Sequence, residues 1–306
     1  MVDVNYSIII PHRNVPHLLQ RCIDSIPCRD DIQIIVVDDN SDPTKVDFGH
    51  FPGQNNPNVE LYFTKEGKGA GYARNIGLMH AKGKWLLFAD ADDYFTKNAF
   101  KVFDEQFNNE AEIVYYFSES VYDDTGETAD RSTGYNNLIE NFLKGGINEV
   151  RLRVRFEVPW AKMIKSELIN RYQIRFDEVP AANDVYFSTL TGYYAKSIAV
   201  INQSVYVVTV NIGSITRRKN YNKSFSQFCV SLRKNAFLKK VGLGGEQKSI
   251  MIMFLESVRY KPLKTIYLIF LLFRFRQNPF IGCSNWVKTY IEIKKKSKKE
   301  KHYYVN

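Results

Sequence analysis

The sequence predicts an α/β fold built on an open, mostly parallel sheet and followed by a basic helical extension. Three observations carry that expectation. The first third alternates short apolar runs with segments whose apolar residues recur at helical spacing. The runs are near-continuous rather than alternating, the pattern of strands covered on both faces. Three of them stop at clusters of polar residues, as strands do when their carboxyl ends line a crevice.

Tyr6–Ile10 is the first run, stopped by Pro11, and His12-Arg13-Asn14 follows. Val15–Ser25 predicts a helix with Val15, Leu18, Leu19 and Cys22 on one face. Ile32–Val37 is the second run and ends in Asp38-Asp39-Asn40-Ser41; Val59–Phe63 is the third. Gly71–Lys82 predicts a helix with Ala73, Ile76, Gly77 and His80 on one stripe. Trp85–Ala89 is the fourth run, ended by Asp90. Repetition of strand, helix and strand builds right-handed crossovers and an open sheet. The centre is less regular. Glu112–Phe117 predicts a strand, Asp123–Gly134 a polar loop and Asn137–Leu143 a helix. Lys162–Tyr172 predicts a short helix, Asp184–Tyr194 a helix, and Ile198–Ile201 and Tyr206–Val210 two strands. Beyond Asn220 the pattern is helical. The expected division is a sheet domain over 1–220 and a helical extension over 221–306.

The 306 residues carry a net charge of +9. From Lys261 onward eleven Lys and Arg face two Glu, so the whole excess lies there and 1–260 is neutral. That balance argues against nucleic acid as a partner of the sheet domain. Cys22, Cys28, Cys229 and Cys283 show neither metal-ligand nor redox spacing, which suits a reducing compartment. Met-Val-Asp-Val-Asn has no basic or apolar leader pattern. The longest apolar run, Ile266–Phe273, is far short of the roughly 20 residues that span a bilayer. The expected location is cytoplasmic, with peripheral attachment to the inner face of the cell membrane left open.

Asp90-Ala91-Asp92-Asp93 is the strongest chemical signal. Three carboxylates in four residues repel one another unless a cation or a solvated turn relieves them. Carboxylates two apart on a tight turn can share a hard ion such as Mg²⁺ or Mn²⁺, which also takes diphosphate oxygens. Asp38-Asp39-Asn40-Ser41 admits two readings: a carboxylate that accepts from a base or ribose, or a helix N-cap. Gly67-Lys68-Gly69-Ala70-Gly71 opens a helix, where backbone amides suit phosphate. It is neither a Walker A loop nor the dinucleotide fingerprint, since it lacks the former's Gly-Lys-Ser/Thr and does not follow the first strand.

These segments together resemble the family 2 glycosyltransferases: inverting, DXD-containing enzymes with the GT-A fold and its Rossmann-like nucleotide-binding sheet. The likeness covers 5–215 and rests on six ordered pieces: 7–14, 34–41, 71–77, 86–93, Pro159-Trp160-Ala161-Lys162 and Asn183-Asp184-Val185-Tyr186-Phe187. It implies a nucleotide-diphosphate-sugar donor, a glycan or lipid-linked glycan acceptor and metal assistance. By position it implies that Asp39 contacts the nucleobase and that Pro11, Arg13, Asn14 and Arg74 line the nucleotide pocket. Asp90 would contact ribose or metal, and Asp92 would ligate the metal. Trp160 and Asn183 would lie on the acceptor side, and Asp184 would be the general base. Two positions depart from the family pattern: Arg13 stands where an aromatic residue is usual, and Asn183 where a glutamate is. Glu178 is a rival base, and the alternative role of Asp184 is to cap the helix that begins at Val185. Gly213-Ser214-Ile215-Thr216-Arg217-Arg218 resembles a segment that closes over the diphosphate. Other readings are a sugar-phosphate nucleotidyltransferase, which would want a glycine-rich basic loop after the first strand, and a degenerate GT-A domain serving as a scaffold or glycan-binding module.

The extension has two open fates. Ile266–Phe273, flanked by Lys264, Arg274 and Arg276, suits a buried helix. It also suits the membrane interface, with Lys294, Lys295, Lys296, Lys298, Lys299 and Lys301 against an anionic membrane surface.

Overall fold

A computed structural model describes residues 3–211 and 220–281. Contacts separate the chain into two units, Met1–Arg218 and Lys219–Asn306.

The first unit begins with β1 (Tyr6–His12), α1 (Pro16–Asp24), β2 (Ile32–Asp39), β3 (Val59–Thr64), α2 (Ala70–His80) and β4 (Trp85–Phe88). β1, β2 and β4 are buried along their whole length, as their continuous apolar runs require. β1 pairs in parallel with β2 and β4, and β2 pairs in parallel with β3. Pro11 does not end β1, which continues to His12 opposite Asp38. The reason is local. The Ile9 carbonyl faces β4, where it accepts from the Ala89 N–H, and Pro11, two residues on, faces the same side. Pairing with β4 ends at Phe88, so the missing Pro11 N–H removes no ladder bond.

The rest of the unit comprises β5 (Tyr94–Phe95), α3 (Ala99–Glu105), β6 (Ile113–Tyr122), α4 (Thr133–Leu143) and α5 (Glu149–Arg155). It continues with β7 (Lys162–Lys165), α6 (Ser166–Tyr172), α7 (Val185–Tyr194) and β8 (Ile198–Val210). The strand order is β3-β2-β1-β4-β7-β6-β8-β5. β7 runs antiparallel to both β4 and β6, β6 is parallel to β8, and β5 is antiparallel to β8. The parallel half is therefore the one built from the alternating repeats.

Three expectations change. Lys162–Tyr172 is not one helix, because its first four residues form β7 between β4 and β6, where sheet pairing overrides local preference. Ile198–Ile201 and Tyr206–Val210 are one strand. The polar stretch between them is absorbed by an irregularity opposite Phe117, where the register passes from Tyr116↔Ile201 to Phe117↔Ser204 and Ser118↔Tyr206. α3, α5 and β5, each seven residues or fewer, have no sequence signal of matching strength.

α2 packs unusually close to its neighbours. A Cβ on Gly77 would lie 2.4 Å from Ile9 Cγ2. One on Gly71 would lie 2.0 Å from the Asp177 carbonyl oxygen and 3.0 Å from Asn183 Cβ. The segment carrying Asn183 and Asp184 is thereby pressed against the start of α2.

The second unit has its own core. α8 (Tyr221–Lys240) starts where the Asn220 side chain accepts the Lys223 N–H at 3.0 Å. α9 (Met251–Tyr260) and α10 (Thr265–Arg274) follow. Phe228, Leu232, Ile250, Leu268 and Leu272 are buried together.

Gly71→Ala is expected to destabilise the protein by about 1–3 kcal/mol, because a backbone oxygen cannot swing away as a side chain can. Urea denaturation checks this; an unchanged midpoint would mean that the loop yields freely.

Candidate active site

The carboxyl ends of β1, β2 and β4 lie side by side, so the polar residues that follow them meet at one edge of the sheet. Two adjacent aspartates on β2 have different work. Asp38 accepts from His12 Nδ1 at 2.7 Å, from the Ser41 N–H at 2.9 Å and from the Ser41 hydroxyl. His12 Nε2 accepts the Val15 N–H at 3.1 Å, which leaves Nδ1 as the donor. Ser41 in turn accepts the Asn14 N–H at 2.8 Å, and Asn14 Oδ1 accepts the Asp42 N–H at 2.7 Å. Burial opposes ionisation of Asp38, but the bonds from His12 and Ser41 outweigh it and hold the carboxyl below its usual range. Asp38 thus closes a turn and caps no helix. Asn14 and Asn40, at φ +61° and +57°, take the left-handed conformation these turns need.

Asp39 faces the other way. It is buried, and Oδ2 accepts the Gly69 N–H at 2.7 Å at the entry to α2. Arg13, half exposed, holds a guanidinium nitrogen 3.8 Å from the same oxygen. Oδ1 of Asp39 is buried without a hydrogen-bond partner. A buried acceptor left open is expensive, and it suits a ligand N–H or hydroxyl. Pro11, buried, pairs with Val37 in the β1–β2 register, and Asn14 is tied to Ser41 and Asp42 in the turn after Asp39.

The acidic turn follows β4. Carboxylate oxygens of Asp90, Asp92 and Asp93 lie within 4.8 Å of one another. Asp93 is not an open ligand. One oxygen accepts the Thr209 N–H at 2.7 Å and the other the Tyr206 hydroxyl at 3.0 Å. That hydroxyl also accepts the Asp90 N–H at 2.9 Å. Burial and its two neighbours push the Asp93 carboxyl well up. The Asp92 carbonyl accepts from Arg21 at 2.6 Å and from the Thr209 hydroxyl, and Arg21 also binds Asp123. Burial, then the Asp90 charge, pushes the Asp92 carboxyl up to about 6. Asp90, with a side chain 36% exposed, and Asp92 therefore remain to face a ligand. Two carboxylates so crowded are relieved by a divalent cation, and the oxygen-donor set fits Mg²⁺ or Mn²⁺.

Arg74 joins this turn to the far side of the site. Its buried guanidinium donates to Asp90 and, at 2.8 Å, to Asn183 Oδ1, and it lies 5.3 Å from the Phe176 ring centroid. Asp184 is next. It occupies the N-cap position of α7, yet its side chain makes no capping bond. Burial pushes its carboxyl up to about 6, Arg74 pulling it down and Asp90 pushing it up. Glu178 is exposed and bonds Asn75 at 3.2 Å. Trp160 is buried and stacks on Tyr206 with centroids 5.7 Å apart, behind the acidic turn. Gly213–Arg218 lies outside the described residues.

The structure thus brings Arg13 and Asp39 together, ties Asn14 to the turn that follows Asp39, and links Arg74, Asp90 and Asn183 by hydrogen bonds. Sequence reading missed Arg21, Tyr206 and Thr209. Tyr206 and Thr209 bind a turn more than a hundred residues away, and no local pattern marks such a partner.

The sequence matches the model of glycosyl transferase family 2 over residues 7–172. It is 26% identical over 236 residues to glycosyltransferase GlyA of Streptococcus pneumoniae, covering 71% of this chain and 32% of GlyA. It is 23% identical over 244 residues to the putative glycosyltransferase EpsH of Bacillus subtilis, covering 76% and 69%. TarS of Staphylococcus aureus, a poly(ribitol-phosphate) beta-N-acetylglucosaminyltransferase, is 24% identical over 212 residues, covering 66% of this chain and 35% of TarS. The chain therefore spans about a third of the length of GlyA and TarS. The structure of TarS residues 1–349 in complex with UDP-GlcNAc superposes with a TM-score of 0.57 at 18% identity, covering 91% of this chain and 73% of that one. The shared fold is GT-A.

Tyr206→Phe is expected to leave the Asp90 N–H and one Asp93 oxygen without a partner and to lower stability by about 1–3 kcal/mol. Calorimetric titration should show Mn²⁺ binding weakened about 10- to 100-fold. Wild-type affinity in the variant would mean that the turn holds its shape without the bridge.

Proposed function

The chain belongs to glycosyl transferase family 2, and we propose that it moves one sugar from a nucleotide-diphosphate-sugar donor to a hydroxyl of a glycan acceptor, with inversion at the anomeric carbon. The observation that carries this reading is the role of α2. Its entry amide is held by Asp39, and its Arg74 holds both Asp90 and Asn183, beside Asp184. One helix therefore ties an open buried acceptor, an acidic turn and a candidate base into one unit.

The open Oδ1 of Asp39 accepts from the nucleobase or ribose, with Pro11 and Asn14 alongside. Arg13 stacks on the base, a task a planar guanidinium can perform in place of an aromatic ring. Asp90 and Asp92 would hold Mg²⁺ or Mn²⁺, and the ion when bound neutralises charge on the diphosphate. Asp184 takes the proton of the acceptor hydroxyl. The oxygen bonds to the anomeric carbon as the carbon–oxygen bond to the diphosphate breaks, and the nucleoside diphosphate departs. Asp184 suits a base better than Glu178, because burial raises it to about 6, nearer the working pH, whereas Glu178 stands exposed. Trp160 and Asn183 lie on the acceptor side. The acceptor is a growing surface glycan of the capsule, lipopolysaccharide or exopolysaccharide kind, free or lipid-linked; the polymer in the name of TarS supports that class. The site works in the cytoplasm, where nucleotide sugars are at hand.

Thermal melting with UDP, GDP, CDP and dTDP, each with and without Mn²⁺, tests the donor. A nucleotide at 100 times its dissociation constant adds about 2.7 kcal/mol. One nucleotide is expected to stabilise the protein in a metal-dependent way, and Asp92→Asn should abolish the metal-dependent part. No response to any of the four would leave a binding module.

Asp184→Asn is expected to keep nucleotide binding and to lose about 100- to 10,000-fold in kcat/KM. A base works deprotonated, so the wild-type rate should rise with pH through about 6. A bound cation offsets the Asp90 charge and moves that limb lower. An acidic limb that persists in Asp184→Asn would assign the base elsewhere.

A further inference from the structure

α10 is apolar on two sides. Its inner side holds Leu268 and Leu272, one turn apart and buried with Phe228 and Leu232 of α8 and with Ile250. Its outer side holds Ile266, Phe270 and Phe273, spaced four and three residues apart and 81, 57 and 77% exposed, with Ile269 beside them. Leu263, one turn earlier, is 99% exposed. A helix that buries one face in its own core ordinarily turns polar residues to water on the other. Here the sequence from Ile266 to Phe273 supplies none but Tyr267.

The charge around this face has one sign. Lys261 and Lys264 precede the helix, and Arg274 and Arg276 end it; all four are exposed. No acidic residue lies between Lys261 and Phe280. The ammonium groups of Lys261 and Lys264 lie 4.9 and 5.3 Å from the Tyr221 ring centroid.

We propose that the outer face of α10 docks on an anionic lipid surface, with Ile266, Phe270, Phe273 and Leu263 in the acyl boundary and Lys264, Arg274 and Arg276 among the headgroups. An apolar face framed by cations is the pattern of a helix lying in the interface plane. Ten residues of helix extend about 15 Å, half the hydrocarbon thickness, so α10 lies along the membrane rather than across it. No helix among the described residues is long and apolar enough to cross. A second copy of the chain is the poorer occupant, because pairing this face with itself sets cations against cations with no acid between them. The attachment is independent of the transfer chemistry and would bring the enzyme to a lipid-linked acceptor.

The test is flotation of the full chain with vesicles of phosphatidylcholine plus phosphatidylglycerol, and of phosphatidylcholine alone, at low salt and without nucleotide. Wild type is expected to float with the anionic vesicles and far less with the neutral ones. Phe270→Ser with Phe273→Ser should weaken that partition about tenfold or more. Arg274→Gln with Arg276→Gln should weaken it about thirtyfold. Both pairs lie on the surface, so both variants are expected to melt no lower than wild type and to keep its response to nucleotides, which separates a failure of docking from a failure of the transferase reading. Unchanged flotation of the Phe pair would overturn the proposal and leave attachment to Lys294–Lys301. So would vesicle-free dimerisation in sedimentation velocity that the Phe pair abolishes, since the face would then belong to a second copy.

Discussion

At the carboxyl end of β4 three carboxylates share one turn, and their mutual repulsion sets what the surrounding side chains must do. Like charges within 4.8 Å repel by about 3 kcal/mol at an effective dielectric of about 20, before exposure to solvent screens them. Each carboxylate meets this differently. Asp93 sinks into the fold against Tyr206 and Thr209. Asp90 pairs with the buried Arg74 guanidinium. Asp92 has its main chain pinned by Arg21 and Thr209, while its carboxylate is left with the Asp90 charge. The unrelieved remainder is the feature of the turn that a divalent cation would offset.

The same repulsion explains why the site is spread over so many elements. The donors that stabilise the turn come from α1, α2 and β8, and each must arrive by its own packing. α2 is the tightest joint. Gly77 lets it approach β1, and Gly71 lets the segment before α7 approach its first turn. A side chain at either glycine would push apart the groups that Arg74 links. Asp39 completes the joint by holding the entry amide of the same helix. Asp39 on one side and Asp90 and Asn183 on the other therefore share a support, and a shift of α2 would disturb all three.

Much of this was legible in the sequence, for a physical reason. A strand buried on both faces must be apolar throughout, so β1, β2 and β4 announce themselves, and the polar residues that end them are conspicuous. Asp39, Asp90 and Asp92 were singled out that way, and the structure sets them at the carboxyl ends of β2 and β4. The second half of the sheet was harder to read. β7 is four residues long with lysine at each end, and only its two neighbours make it a strand. β8 runs through a polar stretch that reads as a break, because the irregularity opposite Phe117 belongs to the pair of strands and not to either sequence. Asp38 and Asp39 look alike in the chain; adjacent residues of a strand point to opposite faces, and one met His12 and Ser41 while the other met Gly69.

The parallel half of the sheet, the carboxylates at its edge and the apolar character of α10 follow from the amino-acid pattern without reference to distant residues, since each depends on burial pattern or local charge density. Tertiary structure alone decided which of those carboxylates stays open. Asp93 is claimed by Tyr206 and Thr209, from a strand more than a hundred residues away, and Asp184 stands at a helix start without capping it. It also decided which side of α10 enters a core, because Leu268 and Leu272 differ from Phe270 and Phe273 only in what lies across from them. A hydrogen bond or a packing contact between distant residues has two owners, and a local pattern records one of them.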